Sequence, residues 1–373
     1  MNGSYPELAA PLIALMAARG VERVHVPILQ PADPFLDMAG EELRRRIFMT
    51  QSETGESLCL RPEFTIPVCR LHIASGKSTP RRYGYLGEVF RQRREGGNEF
   101  YQTGIEDIGD PDPAAADARS VADALAVLDA LLPGSRFVVT CGDKAVFEAV
   151  LAGLDLPPGW RKRLGRTFGS PPRIAQALAD LTRPNGALVV EPAIARHVDR
   201  EDEEGLAALI GQRMQAAGLP LKASRTPREI ARRLIEKAAL ASARLSEKAH
   251  SALRAFLAIR TPLQQASAAL TAFSREHRIE LGDALEAFRQ RAAALDRERE
   301  RPAELWFDAS FGRPLEYYSG FVYEIRVPSS DLVLAGGGRY DRLLTLLGAR
   351  QHIPAVGFSA WLDRIELAAG APA

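Results

Sequence analysis

From about residue 146 to about residue 300 the chain is rich in Ala, Leu and Arg and poor in β-branched and aromatic residues, while strand-like runs crowd both flanks. No other feature constrains the fold as much, because a sheet made from the flanks must bring the two ends of the chain together around a helical middle. On the N-terminal side, YPELAAPLIALMAAR (5–19) has helical spacing and stops at Gly20, a good C-cap. VERVHVPIL (21–29) alternates like a strand, with Pro27 restricting it to an edge or interface. ESLCLRPEFTIPVCRLHIAS (56–75) reads as a short strand, a turn at Arg61–Glu63 and a helix from near Pro67. A hairpin is expected at about 83–108, an alanine-rich helix at about 114–132 and a strand at 137–142. In the middle, Thr226-Pro227-Arg228-Glu229 and Thr261-Pro262-Leu263-Gln264 read as capping boxes with Pro at the first helical position. Leu253, Phe256, Leu257 and Arg260 follow helical spacing, and mixed runs such as ARRLIEKAALASARLSEKAH read as solvated helix faces. After 303 the strand signals return in ELWFDAS, YYSGFVYEIRV, DLVLAGGGRYDRLLTLLG and AVGFSAWLDRIELAA. The expected fold is α+β: an antiparallel sheet flanked by helices, with 1–145 and 301–373 forming one domain and 146–300 a mostly helical insertion.

Composition narrows the function classes. The chain has 373 residues, 46% apolar and 25% charged, which are globular averages. A formal net charge of +1 argues against nucleic-acid binding as the main activity. Cys59, Cys69 and Cys141 are scattered and never in a CxxC spacing, so they imply neither disulfides nor zinc. The six histidines show no metal-ligand spacing. No secretory signal is visible, and no run approaches the roughly 20 apolar residues that span a bilayer. A cytoplasmic protein without metal, cofactor or membrane contact is expected.

The candidate functional residues start in FYQTGIE. Alternation puts Gln102, Gly104 and Glu106 on one strand face, and the glycine removes bulk where something must approach the backbone. Glu106 can hold a cationic or N–H-bearing group, and Gln102 can donate and accept. The same stretch also fits a merely exposed polar face. Glu63, Thr65 and Arg61 sit on the preceding turn, and Arg91 suits an anionic oxygen. RPLEYYSG (313–320) supplies Arg313, Tyr317 and Tyr318, and on a strand the adjacent tyrosines would face opposite ways. GGGRYDRL lacks the GK[ST] of a phosphate loop, so its glycines read as close backbone packing or a turn.

Together, LRPEFT, GEVFR with EFYQTGIE, RPLEYYSG, GGGRYD and AVGFSAWLDR resemble, in order, the linked motifs of a class II aminoacyl-tRNA synthetase core of the histidyl type, with Pro27 in VPILQ resembling the motif 1 proline of its dimer interface. The resemblance implies that Glu63, Thr65, Arg91, Gln102, Glu106, Arg313, Tyr317 and Tyr318 hold histidine. The departures fall where that family binds ATP. Arg93 stands in place of a glutamate that grips adenine, and Trp361 in place of a glycine that makes room for it, three positions before Arg364. The chain also ends at Ala373, where the synthetases continue into an anticodon-binding domain.

A histidine pocket without an ATP site or tRNA domain resembles the family of ATP phosphoribosyltransferase regulatory subunits. This implies a non-catalytic, homodimeric protein in a hetero-oligomer with the short-form catalytic subunit, with histidine as effector and no tRNA. The alternative implied by the same motifs is a histidyl-tRNA synthetase-like amino-acid ligase that uses ATP.

Overall fold

The computed structural model of the chain describes residues 5–38, 40–94, 97–182, 191–218, 226–242, 245–298, 303–313 and 315–370. Its strands are, in chain order, β1 (Glu22–Arg23), β2 (Leu29–Pro31), β3 (Met49–Gln51), β4 (Ser57–Leu60), β5 (Arg81–Phe90), β6 (Glu99–Ile108), β7 (Phe137–Asp143), β8 (Arg260–Pro262), β9 (Ala303–Asp308), β10 (Phe321–Arg326), β11 (Ala335–Arg339) and β12 (Ala355–Trp361). One sheet runs β1-β5-β6-β12-β11-β10-β7-β9-β8, and a small second sheet runs β2-β4-β3. The two chain ends meet at its middle, where β6 pairs antiparallel with β12. The sheet is mixed rather than purely antiparallel, because β1 joins β5 and β7 joins β9 in parallel.

Local chemistry explains most of the elements. Asp112 caps the helix Pro113–Leu131, accepting from the Ala114 and Ala115 N–H groups at 3.1 and 3.0 Å, with Pro113 at the first position. The helix Thr65–Ser75 is capped by Glu63, whose carboxylate takes the Thr65 and Ile66 N–H groups at 2.7 and 2.9 Å. The run 21–29 is not one strand. Pro27 has no N–H for a ladder, and Val24 to Pro27 is held instead by Val24 N–H on Gly84 (2.9 Å) and by the Arg61 guanidinium, which bridges the Val26 and Glu88 carbonyls.

The residues divide into two compact units: Met1–Val150 with Phe168–Ser170 and Ala255–Ala373, and Leu151–Thr167 with Pro171–Arg254. The first holds both sheets. The helices Leu263–His277 and Gly282–Arg297, expected within the insertion, belong to this unit. The physical reason is a buried ion network. Arg291 of the second helix pairs with Asp117 (2.6 Å) and Asp143, and Arg339 pairs with Asp117 (2.7 Å) and Asp341 (2.9 Å). Phe288 meets Phe307 edge-on at 4.9 Å. The second unit packs Val198, Leu206, Ile210 and Ala231 into its own small core.

The capping box at Thr226 forms, with Thr226 N–H on Glu229 (2.8 Å) and Glu229 N–H on the Thr226 hydroxyl (3.3 Å). The one expected at Thr261 does not. Thr261 pairs with Phe307 as part of β8, so the helix begins at Leu263 without a side-chain cap. Arg260, expected on the stripe with Leu253 and Phe256, lies on the same strand and is exposed.

Candidate binding site

The face that alternation assigns to Gln102, Gly104 and Glu106 forms in β6, and the neighbouring strands decide what each can do. Tyr85 of β5 and Ser359 of β12 both lie opposite Gly104, while Gly357 lies opposite Glu106. A Cβ at Gly104 would collide with the Tyr85 hydroxyl and the Phe358 carbonyl. The approach that the glycine permits is therefore made by the protein itself. The Tyr85 ring crosses the strand, stacks on Phe64 at 4.3 Å, donates to the Phe358 carbonyl at 3.0 Å and shares a hydrogen bond of 2.8 Å with Ser359. Gly336 on β11 leaves room in the same way for the Arg313 guanidinium, so the GGG run serves close packing.

Above this floor is a pocket of about 90 Å³. Seven of the eight expected ligand contacts line it: Glu63, Thr65, Arg91, Gln102, Arg313, Tyr317 and Tyr318. The two tyrosines do so together, because residues 316–317 form a turn rather than a strand and their rings tilt against each other at 4.9 Å. Gln102 is 0% exposed, yet neither its amide oxygen nor its nitrogen has a partner. The Arg313 Nε and Trp361 Nε1 atoms are also without partners. A buried amide with both ends unmet costs stability, so these atoms mark where a polar ligand would be taken up.

Glu106 lies under the floor and is not part of the pocket wall. Its oxygens accept the Thr65 hydroxyl at 2.7 Å and the Tyr340 hydroxyl. Burial pushes its carboxyl up to about 8, against the pull of those bonds and of the Tyr85 hydroxyl. Burial also raises Glu63, opposed by the helix N–H groups it caps and by Arg91. Desolvation lowers Arg91 to about 10 despite the nearby Glu63 charge, and its Nε donates to the Pro62 carbonyl at 2.6 Å.

Beside Gln102 the pocket is filled by its directly opposed neighbour on β12, Trp361. Trp361, 5% exposed, lines it with the Arg364 guanidinium over its ring at 4.6 Å and that of Arg313 at 5.5 Å. Arg93 and Arg364 stand behind this wall rather than in it. Arg93 pairs with Asp363 at 2.7 Å and lies over Phe100 at 3.4 Å, and Arg364 donates to the Val333 carbonyl at 2.9 Å. Sequence reasoning missed Leu43 and Arg46, which form another side of the pocket, and Tyr340. Tyr340 falls within the GGGRYD motif and could have been found there; nothing distinguishes Arg46 among Arg44–Arg46. Among the described residues no group of three or more His, Cys, Asp or Glu is placed to hold a metal ion, and no helix is long and apolar enough to cross a membrane.

The sheet and its pocket define a protein of the class II synthetase type. The histidyl-tRNA synthetase family model matches residues 4–213 and 205–365. Solved structures with the same fold include an ATP phosphoribosyltransferase regulatory subunit/histidyl-tRNA synthetase from Bacillus halodurans (TM-score 0.65, 21% identity, 99% of this chain and 79% of that one). Another is the histidyl-tRNA synthetase of Nostoc sp. PCC 7120 (TM-score 0.64, 15% identity, 98% and 71%). Much nearer in sequence are proteins of Mesorhizobium japonicum, 59% identical over 98% of both chains, and Sinorhizobium medicae, 57% identical over 98% of both, each named ATP phosphoribosyltransferase regulatory subunit. The chain belongs to the family of ATP phosphoribosyltransferase regulatory subunits.

Proposed function

We propose that this chain is the regulatory subunit of ATP phosphoribosyltransferase in histidine biosynthesis, and that it holds histidine without transforming it. The observation that carries the reading is the pocket itself. Seven of the residues expected to hold histidine line it, and in it Gln102 leaves an amide unpaired beside Trp361, its directly opposed neighbour on β12. Arg91 and Arg313 suit the ligand's carboxylate, and the Glu63, Thr65 and Gln102 wall its ammonium or imidazole, through charge-assisted bonds of about 1.5–3 kcal/mol each. Feedback then requires a coupling free energy of about 1–3 kcal/mol between histidine here and the active site of the short-form catalytic subunit. The chain activates that subunit by binding its active conformation more tightly than its inactive one.

A homodimer is supported by uncovered apolar side chains at the expected interface: Ile28 and Leu29 are 43% and 49% exposed beside Pro27. Cytoplasmic residence and independence of tRNA complete the proposal.

The test is turnover of ATP and phosphoribosyl pyrophosphate by the short catalytic subunit with and without this chain. Stimulation by the chain and suppression by histidine are expected. Turnover indifferent to the chain, together with histidine-dependent exchange of pyrophosphate into ATP by the chain alone, would favour the amino-acid ligase instead.

A further inference from the structure

One row across the middle of the sheet carries a small polar side chain between two glycines. Ser359 on β12 lies opposite Gly104 on β6 and opposite Gly336 on β11. Each glycine is covered by a long side chain from elsewhere: a Cβ at Gly104 would meet the Tyr85 hydroxyl, and one at Gly336 the Arg313 guanidinium. Ser359 therefore stands in the gap between a phenol and a guanidinium, and it lines the pocket.

The hydrogen bonds around it fix what its hydroxyl can offer. Tyr85 has a single hydrogen to give. The Phe358 carbonyl, which can only accept, takes it at 3.0 Å, and the Glu106 carboxyl lies within reach of the same hydroxyl. The 2.8 Å bond between Tyr85 and Ser359 is then made with the serine's hydrogen. Among the described residues the Ser359 hydroxyl has no other hydrogen-bonding partner. Arg313, across the row, engages the Tyr318 hydroxyl instead. With its hydrogen held by Tyr85, Ser359 presents to the pocket only lone pairs, and acts there as an acceptor alone.

We propose that Ser359 is a specificity-determining residue of the pocket: its hydroxyl, oriented by Tyr85, accepts a hydrogen bond from an N–H of the ligand. A ligand that puts an acceptor or an apolar group at that position leaves the lone pairs unmet and is disfavoured. The inference rests on the amino-acid reading of the pocket and deepens it. Histidine carries two donors of this kind, the ammonium and the ring N–H, and the test separates them.

Two analogues each remove one donor. In 4-thiazolylalanine a sulfur replaces the ring N–H, and imidazole propionate lacks the ammonium. Calorimetry on the full chain gives the affinities of both analogues and of histidine for wild type and for Ser359→Ala. Histidine is expected to bind Ser359→Ala about tenfold more weakly than wild type, the contribution of one hydrogen bond. One analogue should bind the two proteins within about twofold, because it lacks the donor that Ser359 receives, while the other loses about as much as histidine does. An unchanged histidine affinity in Ser359→Ala overturns the inference. So does an equal loss for all three ligands, which would mean that the side chain only shapes the pocket. If Ser359→Ala does not fold, Ser359→Cys, of similar size and a much weaker acceptor, runs the same comparison. If wild type does not bind histidine, the amino-acid reading falls as well; if it binds histidine and neither analogue gives the equality, only the role of Ser359 falls.

Discussion

The pocket's β6 side and its β12 side are opposed at Gln102 and Trp361 and reach different results. On the β6 side Gln102 is buried with its amide unpaired, and among the described residues Glu106 has hydroxyl partners but no cation. On the β12 side Trp361 fills volume, and behind it Arg93 has Asp363 and Arg364 has a carbonyl and an indole. Both sides keep unmet polar atoms, Gln102 on one and Trp361 Nε1 and Asp363 Oδ1 on the other, so what separates them is space: the indole and the guanidinium over it take up room that a second ligand would need.

The sharpest way to break this contrast is at the filled side. Trp361→Gly deletes an indole that is 5% exposed and should cost about 3–5 kcal/mol, read as the shift in urea midpoint. It should not create ATP binding in a fluorescent-nucleotide titration, because Arg93 and Asp363 still engage each other. ATP binding in this variant would mean that the indole alone had closed the site. The open side should respond in the opposite sense. Gln102→Leu replaces an unpaired buried amide by an apolar group of similar size, so thermal stability should hold or rise, while histidine affinity falls about 10- to 100-fold, or ~1.4–2.8 kcal/mol. If stability and affinity fall together, the amide has a structural partner and the contrast between the sides fails.

Glu106 gives a smaller effect with a definite sign. Its folded carboxyl lies near 8, above the ordinary 4.5, so between those values the folded chain binds more protons than the unfolded one. Stability should therefore fall as pH rises through that window, by at most about 1.4 kcal/mol per pH unit. Denaturation midpoints at pH 6 and pH 8 without ligand should differ less in Glu106→Gln than in wild type. An equal difference in the two would mean that the carboxyl is already ionised in the folded chain.

What was legible in the sequence follows the reach of each signal. Alternation with period two assigns Gln102 and Glu106 to one face, and both hairpin strands form close to where they were expected. Alternation says nothing about depth. Glu106 is sealed in by Gly357 and Tyr340, more than two hundred residues away along the chain, so its place below the floor could not be read locally. The tyrosine pair was misjudged because a turn, unlike a strand, lets neighbours face one cavity. The limit of the helical insertion was hidden for the reason that hid Glu106. The helix Gly282–Arg297 looks like its predecessors in composition, but Arg291 ties it to Asp117 and Asp143 beside the sheet. The three glycines 336–338 were legible as close packing because the absence of a phosphate-loop lysine left little else for them to do.

The least disruptive change tests whether the ion pair behind Trp361 acts separately from Gln102. Arg93 and Asp363 are 17% and 32% exposed, so their ion pair is worth about 1 kcal/mol or less, and the guanidinium over Phe100 adds an amount of the same order. Arg93→Ala should lower stability by about 1 kcal/mol and leave histidine affinity within about twofold, because neither partner of that ion pair lines the pocket. Combined with Gln102→Leu, its effect on affinity should simply add, as it does for sites without shared partners. A loss of affinity from Arg93→Ala alone that approached the Gln102→Leu loss would mean that the clamp behind Trp361 holds the binding side in shape. The filled side would then be a support for the pocket, and the departure of arginine from the synthetase pattern would have been selected for binding as well as for excluding the nucleotide.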